Sequence, residues 1–191
     1  MKVLVIYAHP NKKSFCAAIK QALLKGLEKN QNEVRIHDLY EMKFDPILSY
    51  EELVLKEGKE DQEQLKKLQQ DILWAKKIII IHPTWWYGTP AILKGYFDRV
   101  LSEGFAYRYE TDHPVPLLQG KEGMIIQTFD AEEKVEKGLL EDIAYKNIYF
   151  TWSYCGITKW QRVEFFEVNF VDNKQRQKWL QSVQELGARI K

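Results

Sequence analysis

Three short stretches of this 191-residue chain carry residue types that bind or react. The first is His9-Pro10-Asn11-Lys12-Lys13-Ser14. Ser14 is a good helix N-cap, and the free N–H groups and positive dipole end of a helix start favour an anion. With His9 and two lysines adding donors, a phosphate suits the loop. It lacks the glycine-rich pattern of a dinucleotide fingerprint or a Walker loop, and a capped helix with a solvated lysine pair is the plainer reading. The second stretch is Pro83-Thr84-Trp85-Trp86-Tyr87-Gly88-Thr89-Pro90. Its three aromatics offer flat apolar walls and backbone donors, which a planar heteroaromatic ligand such as an isoalloxazine ring requires. Capping the core or filling a subunit interface is the alternative. The third is Gln127-Thr128-Phe129-Asp130.

These stretches have a common logic once the elements around them are read. Residues 3–7 and 77–82 are short, continuous, β-branched runs, the pattern of strands buried on both faces of a parallel sheet. Residues 33–39 alternate and read as a more exposed strand. Residues 123–128 and 162–168 read as the fourth and fifth strands. Between them fall helical patterns. Phe15, Ile19, Leu23 and Leu27 follow the Ser14 cap; Leu65, Leu68, Ile72 and Ala75 follow an Asp61 cap; Leu93, Phe97 and Leu101 are spaced four apart. Residues 131–144 read as helical, led by Glu132-Glu133. Trp179, Val183, Leu186 and Ile190 form the last stripe, behind an Asn173 cap. Residues 40–57 read as a loop with a turn of helix, 103–119 show no period, and 149–156 fit a strand or a helix end. Alternating strands and helices predict an α/β domain, doubly wound, with a five-stranded parallel sheet of order 2-1-3-4-5 and helices on both faces. One domain spans 1–191. Ligands of such sheets bind beyond the strand carboxyl ends, near the switch point, and all three stretches fall there.

Composition narrows the function classes. Basic residues number 28 and acidic ones 27, for a net charge of +1, so a general nucleic-acid or polybasic membrane surface is disfavoured. No apolar run approaches the roughly 20 residues of a membrane helix. Cys16 and Cys155 form neither a disulfide framework nor a zinc spacing, so no metal is expected, and a reducing cytoplasm is the simple inference.

An anion site and an aromatic slot at one switch point describe a flavin mononucleotide site. Residues 3–15 (VLVIYAHPNKKSF) and 80–101 (IIHPTWWYGTPAILKGYFDRVL) resemble the flavodoxin-like NAD(P)H:quinone oxidoreductases, a family that includes mammalian quinone reductases, bacterial modulators of drug activity and ancillary oxidoreductases of potassium-efflux systems. Residues 104–108 and 154–156 are also similar. The resemblance implies a flavin, with FMN favoured and FAD the alternative. His9, Ser14, Phe15 and Cys16 would line its phosphate and ribityl end. Pro83, Thr84, Trp85, Trp86 and Tyr87 would pack along the ring, with Thr128 at its pyrimidine edge. It implies ping-pong chemistry: NAD(P)H delivers a hydride to flavin N5 and leaves, and a quinone or similar acceptor takes two electrons in the same slot. A homodimer with sites at its interface is implied as well.

The family's usual Thr-Thr-Gly-Gly loop departs here to Gln127-Thr128-Phe129-Asp130. Phe129 could crowd the ring or point away, and Asp130 brings negative charge. No residue matches the family's proton relay, so no catalytic side chain is assigned. Azo- or nitroreduction would use the same half-reactions. A regulatory subunit of a potassium-efflux transporter is the rival from another class, and a flavin electron carrier is a third. Elsewhere plainer roles are expected. His37 and His113 read as solvated, His82 as a core histidine, Cys16 and Cys155 as small buried hydrophobes. Glu51-Glu52 and the charged run 56–67 read as solvated faces. Tyr107 and Tyr109 reach the slot, or a dimer partner's slot as the resemblance implies, or pack on the surface.

Overall fold

The computed structural model describes residues 1–55 and 62–191. The first strand, β1 (Lys2–Tyr7), is buried from Val3 onward. Ser14 then caps α1 (Phe15–Glu28), its side chain accepting from the Ala17 N–H at 3.1 Å. The edge strand β2 (Glu33–Asp38) follows, then a π-helical turn at Glu51–Leu55 and α2 (Gln62–Trp74). The cap expected at Asp61 lies outside the described residues, as do positions 56–60 of the charged run. The four-isoleucine strand β3 (Lys77–Pro83) is buried along its whole length and leads into α3 (Ala91–Val100). The aperiodic stretch contains an antiparallel hairpin of β4 (Tyr107–Glu110) and β5 (His113–Pro116). The chain closes with β6 (Glu122–Thr128), α4 (Ile143–Tyr154), β7 (Lys159–Phe165) and α5 (Asn173–Gly187).

The main sheet runs β2-β1-β3-β6-β7, all parallel. Counted without the hairpin, that is the 2-1-3-4-5 order. The chain steps outward from β1 to β2, then crosses back to lay β3 on the other side of β1, which makes the β1/β3 boundary the switch point. Strand residues alternate between two cores. Leu4, Ile6, Ile78, Ile80 and Ile125 pack under α2, α3 and α4. Val3, Val5, Ile79, Ile81, Met124 and Ile126 pack under α1 and α5. Those last two helices meet backbone to backbone. A Cβ on Gly26 would lie 2.2 Å from the Gln184 carbonyl oxygen, and one on Gly187 would lie 2.6 Å from that of Leu23. Glycine at both places is what permits the approach.

Several local expectations are corrected. Residues 131–144 are not one helix: a π-helical turn occupies Val135–Leu139, and α4 begins only at Ile143. Glu141 and Asp142 between them take positive φ of 50° and 62°, which breaks the helical path. The ambiguous stretch at 149–156 is the end of α4. The last strand starts earlier than 162, at Lys159. Asp172, not Asn173, caps α5, accepting from the Gln175 N–H at 2.7 Å. His37 is buried rather than solvated: Nδ1 pairs with the Tyr96 hydroxyl at 2.9 Å and Nε2 with Asp71 at 3.0 Å. Glu52 is no solvated residue either. Its carboxylate sits against the Arg99 guanidinium, the side chains being 8% and 0% exposed.

Candidate functional site

At the carboxyl edge of β1, β3 and β6 a cleft of about 560 Å³ opens, within the range of small-molecule sites. His9, Ser14, Phe15, Cys16, Pro83, Thr84, Trp85 and Thr128 all line it. Trp86 and Tyr87 do not. Tyr107 and Tyr109 do not either; Tyr107 packs edge-on to Tyr154 at 5.1 Å, beneath α4.

The first wall is the β1–α1 loop, wound by Asn11. Its side-chain oxygen accepts from the Lys13 N–H at 2.8 Å, and its carbonyl from the Ser14 N–H at 3.1 Å, an Asx-type turn. Ser14 caps Ala17. Among the described residues the N–H groups of Phe15 and Cys16 find no backbone acceptor, the usual state of a first helical turn. His9 Nδ1 accepts from the Asn11 N–H at 3.0 Å. This leaves the ring's proton on Nε2, and burial holds the ring below its ordinary pKa. The loop therefore presents two amides and a neutral histidine N–H.

The second wall is the loop after β3. Thr84 donates its N–H to the Thr128 carbonyl at 2.8 Å, joining the loops that follow β3 and β6. The Thr84 hydroxyl is buried and has no partner. Trp85 and Gly88 exchange both backbone hydrogen bonds at 3.0 Å. The two residues between them, Trp86 and Tyr87, have φ of 49° and 61°. Positive φ at both central positions is the type I′ geometry, which glycine and asparagine favour; two aromatics there carry backbone strain. The turn holds Trp85 against the cleft, its ring 5.9 Å from His9, while Trp86 is thrust outward, 96% exposed.

The third wall is the 127–130 loop. Cys16 Sγ and Thr128 Oγ1 lie 3.2 Å apart inside the molecule. Phe129 turns away and stacks on Phe166, with centroids 4.7 Å apart and planes at 18°. Asp130 stays at the rim, accepting from the Asn169 side chain at 2.7 Å. Sequence reasoning missed the fourth wall. Asn169, Asn173, Arg176 and Leu180 extend the cleft along α5. Arg176 Nε and Nη2 both donate to the Val168 carbonyl, at 3.1 and 2.8 Å. Nothing local marks these residues, because the α1–α5 contact brings them there.

No thiol or imidazole here is poised for nucleophilic work. Burial pushes the Cys16 thiol up to about 11. His82 lies on the opposite face of β3, fully buried, with Nδ1 on the Pro83 carbonyl at 2.8 Å. The described residues hold no cluster of side chains that could bind a metal ion. They contain no helix long and apolar enough to cross a membrane.

This geometry has relatives. Residues 1–190 match the family described as the flavodoxin-like fold. An uncharacterised NAD(P)H oxidoreductase of Haemophilus influenzae is 38% identical over 179 residues, covering 92% of this chain and 89% of its own. NAD(P)H dehydrogenase [quinone] 1 of Cavia porcellus is 34% identical over 151 residues, covering 70% of this chain and 55% of its own length. A crystal structure from Streptococcus mutans UA159 superposes with a TM-score of 0.82 at 31% identity, covering 100% of both chains.

Proposed function

Because the chain belongs to the flavodoxin-like family, we propose that its cleft holds a flavin and that the protein is an NAD(P)H-dependent oxidoreductase acting on quinones or comparable two-electron acceptors. The observation that carries this reading is the convergence, in one cleft, of an anion-binding helix start, a buried and unpartnered Thr84 hydroxyl, and a tryptophan wall. Those features fit the phosphate, the polar ring edge and the ring face of a flavin. The names of the relatives from Haemophilus influenzae and Cavia porcellus support the activity class.

Bound there, the group would supply two-electron chemistry, taking a hydride from the nicotinamide and releasing electrons to the acceptor. The chain's own residues position it. The Phe15 and Cys16 amides at the α1 dipole end, with His9 Nε2–H, would hold the phosphate and ribityl end. The Thr84 hydroxyl and the backbone of 83–85 would face the ring edge, and Trp85 would cover one side, leaving the other for reductant and acceptor in turn. The first three walls would hold the FMN portion, and the groove running on past Arg176 to Leu180 would give room for the adenylate of FAD. Phe129 is packed against Phe166 and does not obstruct the ring, which supports an enzyme over a purely regulatory subunit.

Exposed apolar residues gather on and around α4: Leu139, Ile143, Phe150, Tyr154 and Tyr109. A patch of this kind marks an interaction surface, and we read it as the seat of a second copy, to be checked by light scattering.

The deciding experiment is the visible spectrum of the purified protein after incubation with FMN or FAD and removal of free flavin. Retained flavin bands, bleached by NAD(P)H and restored by a quinone, are expected; restoration by azo or nitro compounds but not quinones would select the alternative acceptors. Failure to retain either flavin overturns the reading.

A further inference from the structure

A second cleft, of about 410 Å³, opens on the other side of the β1–α1 loop, toward β2. It shares His9, Lys13 and Ser14 with the first, so the two meet at that loop. Its floor is Tyr7, 2% exposed, whose buried hydroxyl lies near Ser14 but makes no hydrogen bond of good geometry among the described residues. Its far wall is the chain leaving β2: Asp38, Tyr40 and Glu41.

A buried hydroxyl with no partner costs free energy that phenylalanine at the same place would avoid. Tyr7 thus calls for an acceptor from outside the chain. The charges say which kind. Lys20 is paired with Asp38 at 2.7 Å and Lys12 with Glu41 at 3.2 Å. Lys13 has no carboxylate within 4 Å among the described residues. With two pairs cancelled, one ammonium, the Tyr7 O–H and the Ser14 hydroxyl remain at the start of α1, a donor set that selects an anion. Asp38 adds a complementary feature. Oδ1 accepts from the Glu41 N–H and Oδ2 from Lys20, and each oxygen keeps a second lone pair able to accept a sugar hydroxyl.

We propose that this cleft is a second anion subsite, which takes the phosphorylated ribose in the adenylate half of the reducing dinucleotide, and that Lys13 makes the 2′-phosphorylated form the better ligand. The inference rests on the NAD(P)H-dependent reading above. A dinucleotide with its nicotinamide on the side of the flavin slot away from Trp85 would run its pyrophosphate past the His9 loop that both clefts share and enter the second cleft between Lys13 and Tyr40. A free nucleotide presents the same chemistry, and the test separates the two sources.

The test is calorimetric titration of the flavin-loaded protein with adenosine 2′,5′-bisphosphate, 5′-AMP and inorganic phosphate. The bisphosphate is expected to bind about tenfold more tightly than 5′-AMP, and Lys13→Gln to erase most of that difference. Tyr7→Phe, which keeps the buried ring and removes only the hydroxyl, is expected to fold with an unchanged circular-dichroism spectrum and to weaken both nucleotides about fivefold. Equal binding of the two nucleotides, or titrations unaltered in both variants, overturns the proposal. So does bisphosphate binding that fails to compete with NADPH in steady-state kinetics, which identifies a free-nucleotide site instead. If the protein retains no flavin, the enzyme reading falls, and the same titrations on the flavin-free protein still decide whether the cleft takes the nucleotides.

Discussion

Cys16 Sγ and Thr128 Oγ1 meet at 3.2 Å and tie the first turn of α1 to the end of β6. Between those two elements lies the cleft, so this contact sets the spacing of two of its walls. Thr128→Val removes the oxygen at nearly constant volume. A loss of about 1 kcal/mol is expected in urea unfolding, with flavin affinity reduced about fivefold. Cys16 in the folded protein is expected to resist iodoacetamide at pH 8, since its buried thiol titrates only near about 11.

Phe129 lends its ring to Phe166 and none of it to the cleft. Phe129→Ala is therefore expected to cost about 3 kcal/mol of stability, in the range of buried aromatic truncations. The dissociation constant for flavin is expected to change less than threefold. A large change in affinity with little change in stability would reverse the assignment of that ring.

His82 makes the fold sensitive to acid. Burial lowers its pKa from the ordinary 6.5 to about 4. As pH falls through 6.5 the unfolded chain binds a proton that the folded chain refuses until about 4. Stability from this residue is thus complete above 6.5 and is lost between 6.5 and 4, by up to about 3 kcal/mol. His37, also lowered by burial, acts with the same sign. Urea midpoints measured from pH 7.5 down to 4.5 are expected to fall, with a shallower fall in His82→Gln.

Glu52 faces an Arg99 side chain that is 0% exposed. Glu52→Gln removes one charge-assisted acceptor from that guanidinium, so a loss of about 2 kcal/mol is expected by urea unfolding.

What could be read from the sequence was what local chemistry dictates. The β-branched runs of β1 and β3 and the Ser14 cap declare themselves within a few residues, and their spacing alone places two cleft walls at one sheet edge. What escaped depends on distant partners. His37 reads as a polar position on an exposed edge strand until Asp71 of α2 and Tyr96 of α3 close over it. The start of α4 is hidden because the left-handed residues Glu141 and Asp142 interrupt a stretch whose composition is helical. Trp86 and Tyr87 carry the right residue types for a ring slot, yet the direction they face is set by a tight turn that glycine would ordinarily form.

The glycine contact between α1 and α5 has a consequence of its own. Gly26 and Gly187 bring the two backbones together at the far ends of the helices, while nearer the cleft Phe15 and Trp179 fill the space between them, their ring centroids 5.9 Å apart. The pair is therefore hinged at neither end: backbone blocks closer approach at one and packed rings at the other. The first and fourth walls of the cleft behave as one plate, so that a change in either helix is felt by both.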